Sequence, residues 1–120
     1  MRFNRLDRGG VGGDFLVAIM IVIRDRHTGE VMHSFPYENF DNASLRYLDF
    51  RDADMSHMVM SECDLTGADF RGADLRGAVF SNANISRALF SNADMVGVQI
   101  KWCNLDRAQF GNACLTVVGQ

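Results

Sequence analysis

Residues 68–80 read Ala68-Asp69-Phe70-Arg71-Gly72-Ala73-Asp74-Leu75-Arg76-Gly77-Ala78-Val79-Phe80. A large apolar residue returns at every fifth position, and a small residue stands two places before it. A period of five fits neither common element. On a helix of period 3.6 such a stripe would wander around the axis. On a strand of period 2 it would change faces at each step. The pattern requires a chain that bends once per unit. Each bend returns the next large residue to a common axis, so the chain coils.

The series extends in both directions without a gap. It runs Phe40, Leu45, Phe50, Met55, Met60, Leu65, Phe70, Leu75, Phe80, Ile85, Phe90, Met95, Ile100, Leu105, Phe110 and Leu115. The companion series from Ala43 to Ala113 is mostly Ala, with Cys63 and Cys103 in the same role and Leu48, Met58 and Val98 as exceptions. Asp or Asn often precedes the large residue, as at Asp54, Asp69, Asp74, Asn84 and Asp94. Internal repetition of this kind marks a solenoid or array.

The strings Ala68–Gly72, Ala73–Gly77 and Ala83-Asn84-Ile85-Ser86-Arg87 resemble the pentapeptide-repeat family, whose unit is A(D/N)LXX. The resemblance covers about residues 38–117. It implies an all-β fold, the right-handed quadrilateral β-helix, with four units per coil and about four coils. It implies much less about function, because function resides in sites carried on a fold. Stepping by one such coil sorts the large residues by shape. Phe50, Phe70, Phe90 and Phe110 form one column; Leu45, Leu65, Ile85 and Leu105 a second; Met55, Leu75, Met95 and Leu115 a third. Phe40, Met60, Phe80 and Ile100 form the fourth. Like resting on like is what close stacking requires. These columns are the expected core. Gly and Asn after the large residue suit turns of unusual φ.

Solenoid ends need covering. Residues 1–14 contain Gly9, Gly10, Gly12 and Gly13 and read as a flexible tail. Residues 15–37 read as a capping β-hairpin: a Val/Ile-rich strand over Phe15–Ile23, a turn at His27-Thr28-Gly29-Glu30, and a returning strand over Val31–Phe35 before Pro36. A short buried helix over 15–23 is the alternative. Residues 38–120 form the repeat domain. No comparable cap follows Leu115, so Ile100, Leu105, Phe110 and Leu115 are the expected dimer end, through which two copies would form a homodimer.

At 120 residues the chain suits one domain, and 12 basic against 15 acidic residues leave a net charge of −3. That balance argues against a general nucleic-acid binder. Hydrophobic content of 48% argues against disorder throughout. The longest apolar run, Phe15–Ile23, is far below the ~20 residues of a membrane span. Arg2, Arg5 and Arg8 ahead of it imitate a signal peptide, but Asp7 and Asp14 interrupt the approach. Arg24-Asp25-Arg26 also stands where a small-residue cleavage site belongs. Three Cys without a CxxC indicate neither a disulfide framework nor a zinc site. A reduced, cytoplasmic setting follows as the expectation.

No catalytic, cofactor or metal residues are expected. His27, His33 and His57 fall in unrelated places, and no HExxH, P-loop or GxGxxG motif is present. Cys63 and Cys103 hold the small inward position, whereas Cys114 is outward. Stacked Asp54, Asp74 and Asp94 would line one face as an acidic stripe, legible to a basic partner. Val59 and Val79 stack outward, and Trp102 projects near them, as an interface anchor would. Together these six residues are the candidate partner surface, with Tyr47, Leu89 and Val96 also outside.

Three functional readings follow. The first is a non-catalytic protein-interaction or scaffold module whose partner is unnamed. The second is a DNA mimic that binds DNA gyrase, as quinolone-resistance members of the family do. Repeat residues 38–117 hold eleven acids and seven bases, a net of −4. A duplex as long as four coils, about 19 Å, carries about 11 negative charges, so the mimicry is weak. Arg46, Arg87 and Arg107 along one column edge dilute it further. The third reading places recognition on the hairpin at residues 15–37.

Overall fold

The computed structural model describes residues 20–117, and within them the chain is all-β with no helix. The expected tail at 1–14 and the first part of the expected strand, residues 15–19, lie outside the described residues.

Strand β1 (Ile21–Asp25) pairs antiparallel with β2 (Val31–Phe35), with Ile21 opposite Phe35 and Ile23 opposite His33. Over residues 21–23 the chain is therefore strand rather than helix. The strand runs on past Ile23 to Asp25, because Arg24 and Asp25 pair with Asp54 and Ala53 of β3 (Ala53–Asp54). The sheet order is β2-β1-β3, which lays the hairpin along the first turn of the repeats. The hairpin turn is closed by Asp25, whose Oδ1 accepts from the His27 and Thr28 amides at 2.7 and 2.9 Å. Those amides hold its carboxyl below the usual range.

Beyond the hairpin the backbone bridges itself at a constant offset of 20 residues. Ser44 pairs with Asp64, Asp64 with Asn84 and Asn84 with Asn104, all parallel. The other three sides repeat the offset, as in Asp49–Asp69–Leu89–Gln109, Asp54–Asp74–Asp94 and Val59–Val79–Gln99. Each rung is tied twice: the Leu65 amide donates to Asn84 O at 2.8 Å, and the Asn84 amide donates back to Cys63 O at 2.9 Å. On one side the rungs lengthen into β4 (Asp94–Val98), parallel to β5 (Cys114–Val117). This is a β-helix-type solenoid.

Most units close by a β-turn, as where the Ala73 amide donates to Phe70 O at 3.0 Å, whereas the unit after Met95 continues as strand. The residue two places after each large one has positive φ, from Asn42 at 61° to Asn112 at 60°. Glycine suits this geometry at Gly67, Gly72 and Gly77. Yet Tyr47, His57, Glu62, Arg87, Trp102 and Arg107 adopt it too, at 61–63°.

The interior is filled by its own side chains. Phe50, Phe70 and Phe90 stack at 5.2 and 5.0 Å, and Phe80 meets Phe70 and Phe90 edge-on at 5.9 Å. Leu45, Leu65, Ile85, Met55, Leu75 and Met95 are buried beside them. His33 covers the Phe column, its ring 5.1 Å from Phe50, with Nε2 2.6 Å from Asp49 O. The last turn departs from the expected core. Leu105 is 40% and Leu115 43% exposed, and Phe110 and Ile100 are only half-buried. Among the described residues no further turn lies against them, so their lower faces stay open.

Candidate interaction surfaces

Where Asp or Asn precedes the large residue, its side chain serves the turn. Asp or Asn Oδ1 accepts the amide two residues on, at 3.0 Å for Asp49–Arg51, 3.1 Å for Asn84–Ser86 and 3.0 Å for Asn104–Asp106. This is the Asx-turn bond that keeps Asn and Asp out of regular ladders and in turns.

At three units an arginine adds a fork. Arg51, Arg71 and Arg76 each grip the preceding carboxylate through Nε and an Nη2 amine, the Arg76 pair at 2.8 and 2.7 Å to Asp74. Bidentate pairing is geometrically the strongest form of carboxylate recognition. The Arg51 hydrogen bonds hold the Asp49 carboxyl at about 2, and the arginines lower Asp69 and Asp74 in the same direction. The strings Asp49-Phe50-Arg51, Asp69-Phe70-Arg71 and Asp74-Leu75-Arg76 announce this fork in the sequence, and reading the acids alone missed it.

That fork corrects the expected acidic stripe. Asp54, Asp74 and Asp94 do share a column. However, the Asp74 side chain is only 7% exposed, masked by Arg76, whose Nε also lies 3.8 Å from Asp94. A buried, neutralised middle member leaves Asp54 exposed and Asp94 half-buried on either side, with no continuous acidic face. The apolar column is also uneven: Val59 is exposed, whereas Val79 is half-buried.

Trp102 is the most exposed large apolar side chain described, at 77%. It sits at φ 63°, on the corner that holds Asn42, Glu62 and Asn82 in the turns above. A bulky residue there is a genuine outlier. Tyr47 is also exposed, lying over Gly67 with Arg46 5.5 Å from its ring. A Cβ on Gly67 would meet that ring.

The remaining chemistry is dispersed. Cys63 and Cys103 donate their thiols to Phe40 O and Phe80 O at 2.9 and 2.7 Å. Burial pushes Cys63 up to about 11 and raises Cys103. Cys114 is exposed. His27 lies 3.8 Å from Asp52, and His57 lies against Gly77. Among the described residues no three His, Cys, Asp or Glu side chains are grouped to hold a metal ion, and no helix is long and apolar enough to cross a membrane. A shallow open groove of about 340 Å³ is lined by Arg51, Asp52, Arg71, Gly72 and Asn92.

The repeat identified from the residues matches a family model, "Pentapeptide repeat region", over residues 34–115. A solved pentapeptide repeat protein from the thylakoid lumen of Arabidopsis thaliana superposes with a TM-score of 0.59 at 29% identity, over 64% of this chain and 55% of that one. HetL of the cyanobacterium Nostoc, a pentapeptide repeat protein involved in heterocyst differentiation regulation, aligns at 20% identity with a TM-score of 0.33, over 62% of this chain and 46% of HetL. The matched part thus spans about half the length of either solved protein. No curated protein sequence matches the chain. On its repeats, its 20-residue backbone register and the family model, the chain belongs to the pentapeptide-repeat family.

Proposed function

We propose that the chain is a non-catalytic protein-interaction module. Its rod is a right-handed quadrilateral β-helix of about four coils, presented in a reduced, cytoplasmic setting. The carrying observation is Trp102, 77% exposed at a backbone position that disfavours it. Exposed Trp is a recurring hot-spot anchor, and a bulky side chain held at positive φ costs stability that a rod selected for folding alone would shed. A filled interior supports a role based on the surface rather than on a cleft. Three free thiols fit the reduced setting.

Binding through Trp102 is tested by cross-linking capture with the wild-type chain and Trp102→Ala. The reading expects a partner captured by the first and lost with the second, at unchanged fold. Equal capture by both would remove Trp102 from the interface.

A second reading concerns self-association. Leu105 and Leu115 are 40% and 43% exposed at the lower end, which favours a homodimer joined end to end there. Sedimentation equilibrium tests it, and a monomer at micromolar concentration would dismiss it. The gyrase-binding DNA mimic gains no support, because its acidic column is interrupted at Asp74.

A further inference from the structure

The two halves of the rod treat their arginines differently. Residues 40–79 hold eight acids against four bases, and each of the four is paired: Arg46 with Asp64, Arg51 with Asp49, Arg71 with Asp69 and Arg76 with Asp74. Residues 80–117 hold two acids, Asp94 and Asp106, against Arg87, Lys101 and Arg107. Arg87 and Arg107 are exposed and make no ion pair with any described residue.

Their placement is costly. Arg87 and Arg107 occupy one corner of successive turns, tied through the Arg87 amide to Asp106 O at 2.8 Å. That puts two like charges about 4.8 Å apart at their backbones. Both stand at φ 62°, where Gly67 serves in the same corner one turn above Arg87. Local folding is therefore better served by other residues at both positions.

The side they border is rich in donors. Its outward residues are Ser44, Asp64, Asn84 and Asn104 in successive turns. In the upper turns the carboxylate of Asp64 is consumed by Thr66 and Arg46. In the lower turns the Oδ1 atoms of Asn84 and Asn104 take the Ser86 and Asp106 amides, and their NH₂ groups make no hydrogen bond to any described residue, so they remain as donors. Across this side on the last turn stands Trp102. Two exposed guanidinium groups, the exposed Asn104 carboxamide and the half-buried Asn84 carboxamide thus lie beside one aromatic ring, with Asp106 the lone carboxylate among them.

We propose that this side of residues 84–107 binds an extended acidic segment of a partner protein, with Arg87 and Arg107 taking its carboxylates and Trp102 packing on an apolar side chain. The proposal rests on the interaction-module reading. Carboxylates at alternate positions of an extended strand are about 6.7 Å apart, within reach of two flexible arginines on neighbouring turns. Arginine forks and amide donors match carboxylates geometrically. A nucleic acid fits less well. The patch covers only two turns, and the acidic excess directly above would repel a polyanion that runs beyond it.

The test is fluorescence anisotropy with a labelled peptide of alternating Glu and Leu, in low and high salt, against an equally charged single-stranded DNA. The proposal expects saturable peptide binding that weakens with salt and exceeds that of the DNA. It expects at least a tenfold loss for Arg87→Asn/Arg107→Asn, a loss for Trp102→Ala, and no change for Arg71→Gln on the paired side. Asn is chosen because the rod already uses it at positive φ, so the double variant should fold. Absent peptide binding, equal binding by the double variant, or preference for DNA would each overturn the proposal. So would a change of oligomeric state in the double variant without loss of peptide binding, since the patch would then be a self-contact. A partner still captured by the wild-type chain in a Trp102-dependent manner, but equally by Arg87→Asn/Arg107→Asn, would refute the acidic-segment site while leaving the interaction module standing.

Discussion

The upper and lower halves of this rod share one backbone and differ in how completely it is satisfied. Above, a hairpin lies along the first turn, His33 and Phe35 cover Phe50 and Phe40, and arginine forks neutralise the turn carboxylates. Below, Leu105 and Leu115 are partly open, Arg87 and Arg107 are unpaired among the described residues, and Trp102 stands at positive φ. The comparison separates two demands on a repeat surface. Where it serves the fold, each arginine finds a carboxylate within its own or the next unit, although Tyr47, His57 and Glu62 stand at positive φ there too. Where groups are left over at a cost, the surplus points to recognition.

The largest effect that would sharpen this contrast lies in the Phe column. Phe70→Ala, between Phe50 and Phe90, should cost about 3–5 kcal/mol. Phe110→Ala, with one face open, should cost about 1–2 kcal/mol. Chemical denaturation measures both, and equal costs would mean that the lower end is covered.

Next comes the fork. Asp74→Ala removes a carboxylate that is nearly buried and doubly bonded, with an expected cost of about 1.5–3 kcal/mol. Asp49→Ala, whose side chain is half exposed, should cost under about 1 kcal/mol.

The forks also set an acid response. Asp49 lies at about 2 in the fold against 3.8 ordinarily, and Asp69 and Asp74 are displaced the same way. A carboxylate with a depressed folded pKa stabilises fully above its unfolded value, and that stabilisation is lost as pH falls through the folded one. Denaturation midpoints should therefore drop as pH falls from about 3.8 toward 2. The combined Arg51→Gln, Arg71→Gln and Arg76→Gln variant should show a flatter profile. An unchanged profile would deny the forks their role.

Smaller still is a pair of glycine substitutions at like φ. A Cβ on Gly67 meets the Tyr47 ring, whereas one on Gly97 would come no nearer than 3.8 Å, to Gly77 N. Both Ala variants carry the cost of positive φ, about 1 kcal/mol. Gly67→Ala should lose somewhat more unless Tyr47 swings aside.

The five-residue period made a coiling chain legible, and the Phe column emerged once the resemblance to the pentapeptide-repeat family supplied a turn of four units. What escaped was pairwise. Whether Asp74 is an exposed acid depends on Arg76, two residues away across a turn, and a reading of acids alone cannot register it. Leu105, Phe110 and Leu115 fit the core pattern as well as their equivalents above, but burial depends on having a neighbour on both sides, which no single unit encodes. The cost at Tyr47, Arg87, Trp102 and Arg107 was hidden because Gly and Asn at equivalent positions suggested that only such residues occur there.

The central claim is that Arg87 and Arg107 are held for recognition at the expense of the rod. Thermal unfolding of Arg87→Asn/Arg107→Asn tests it most directly. Removing a like-charge pair and replacing two bulky residues with Asn, which tolerates positive φ better through its short polar side chain, should raise the melting temperature above that of the wild-type chain. A lower melting temperature would contradict the claim, since it would mean that the two guanidinium groups stabilise the rod itself.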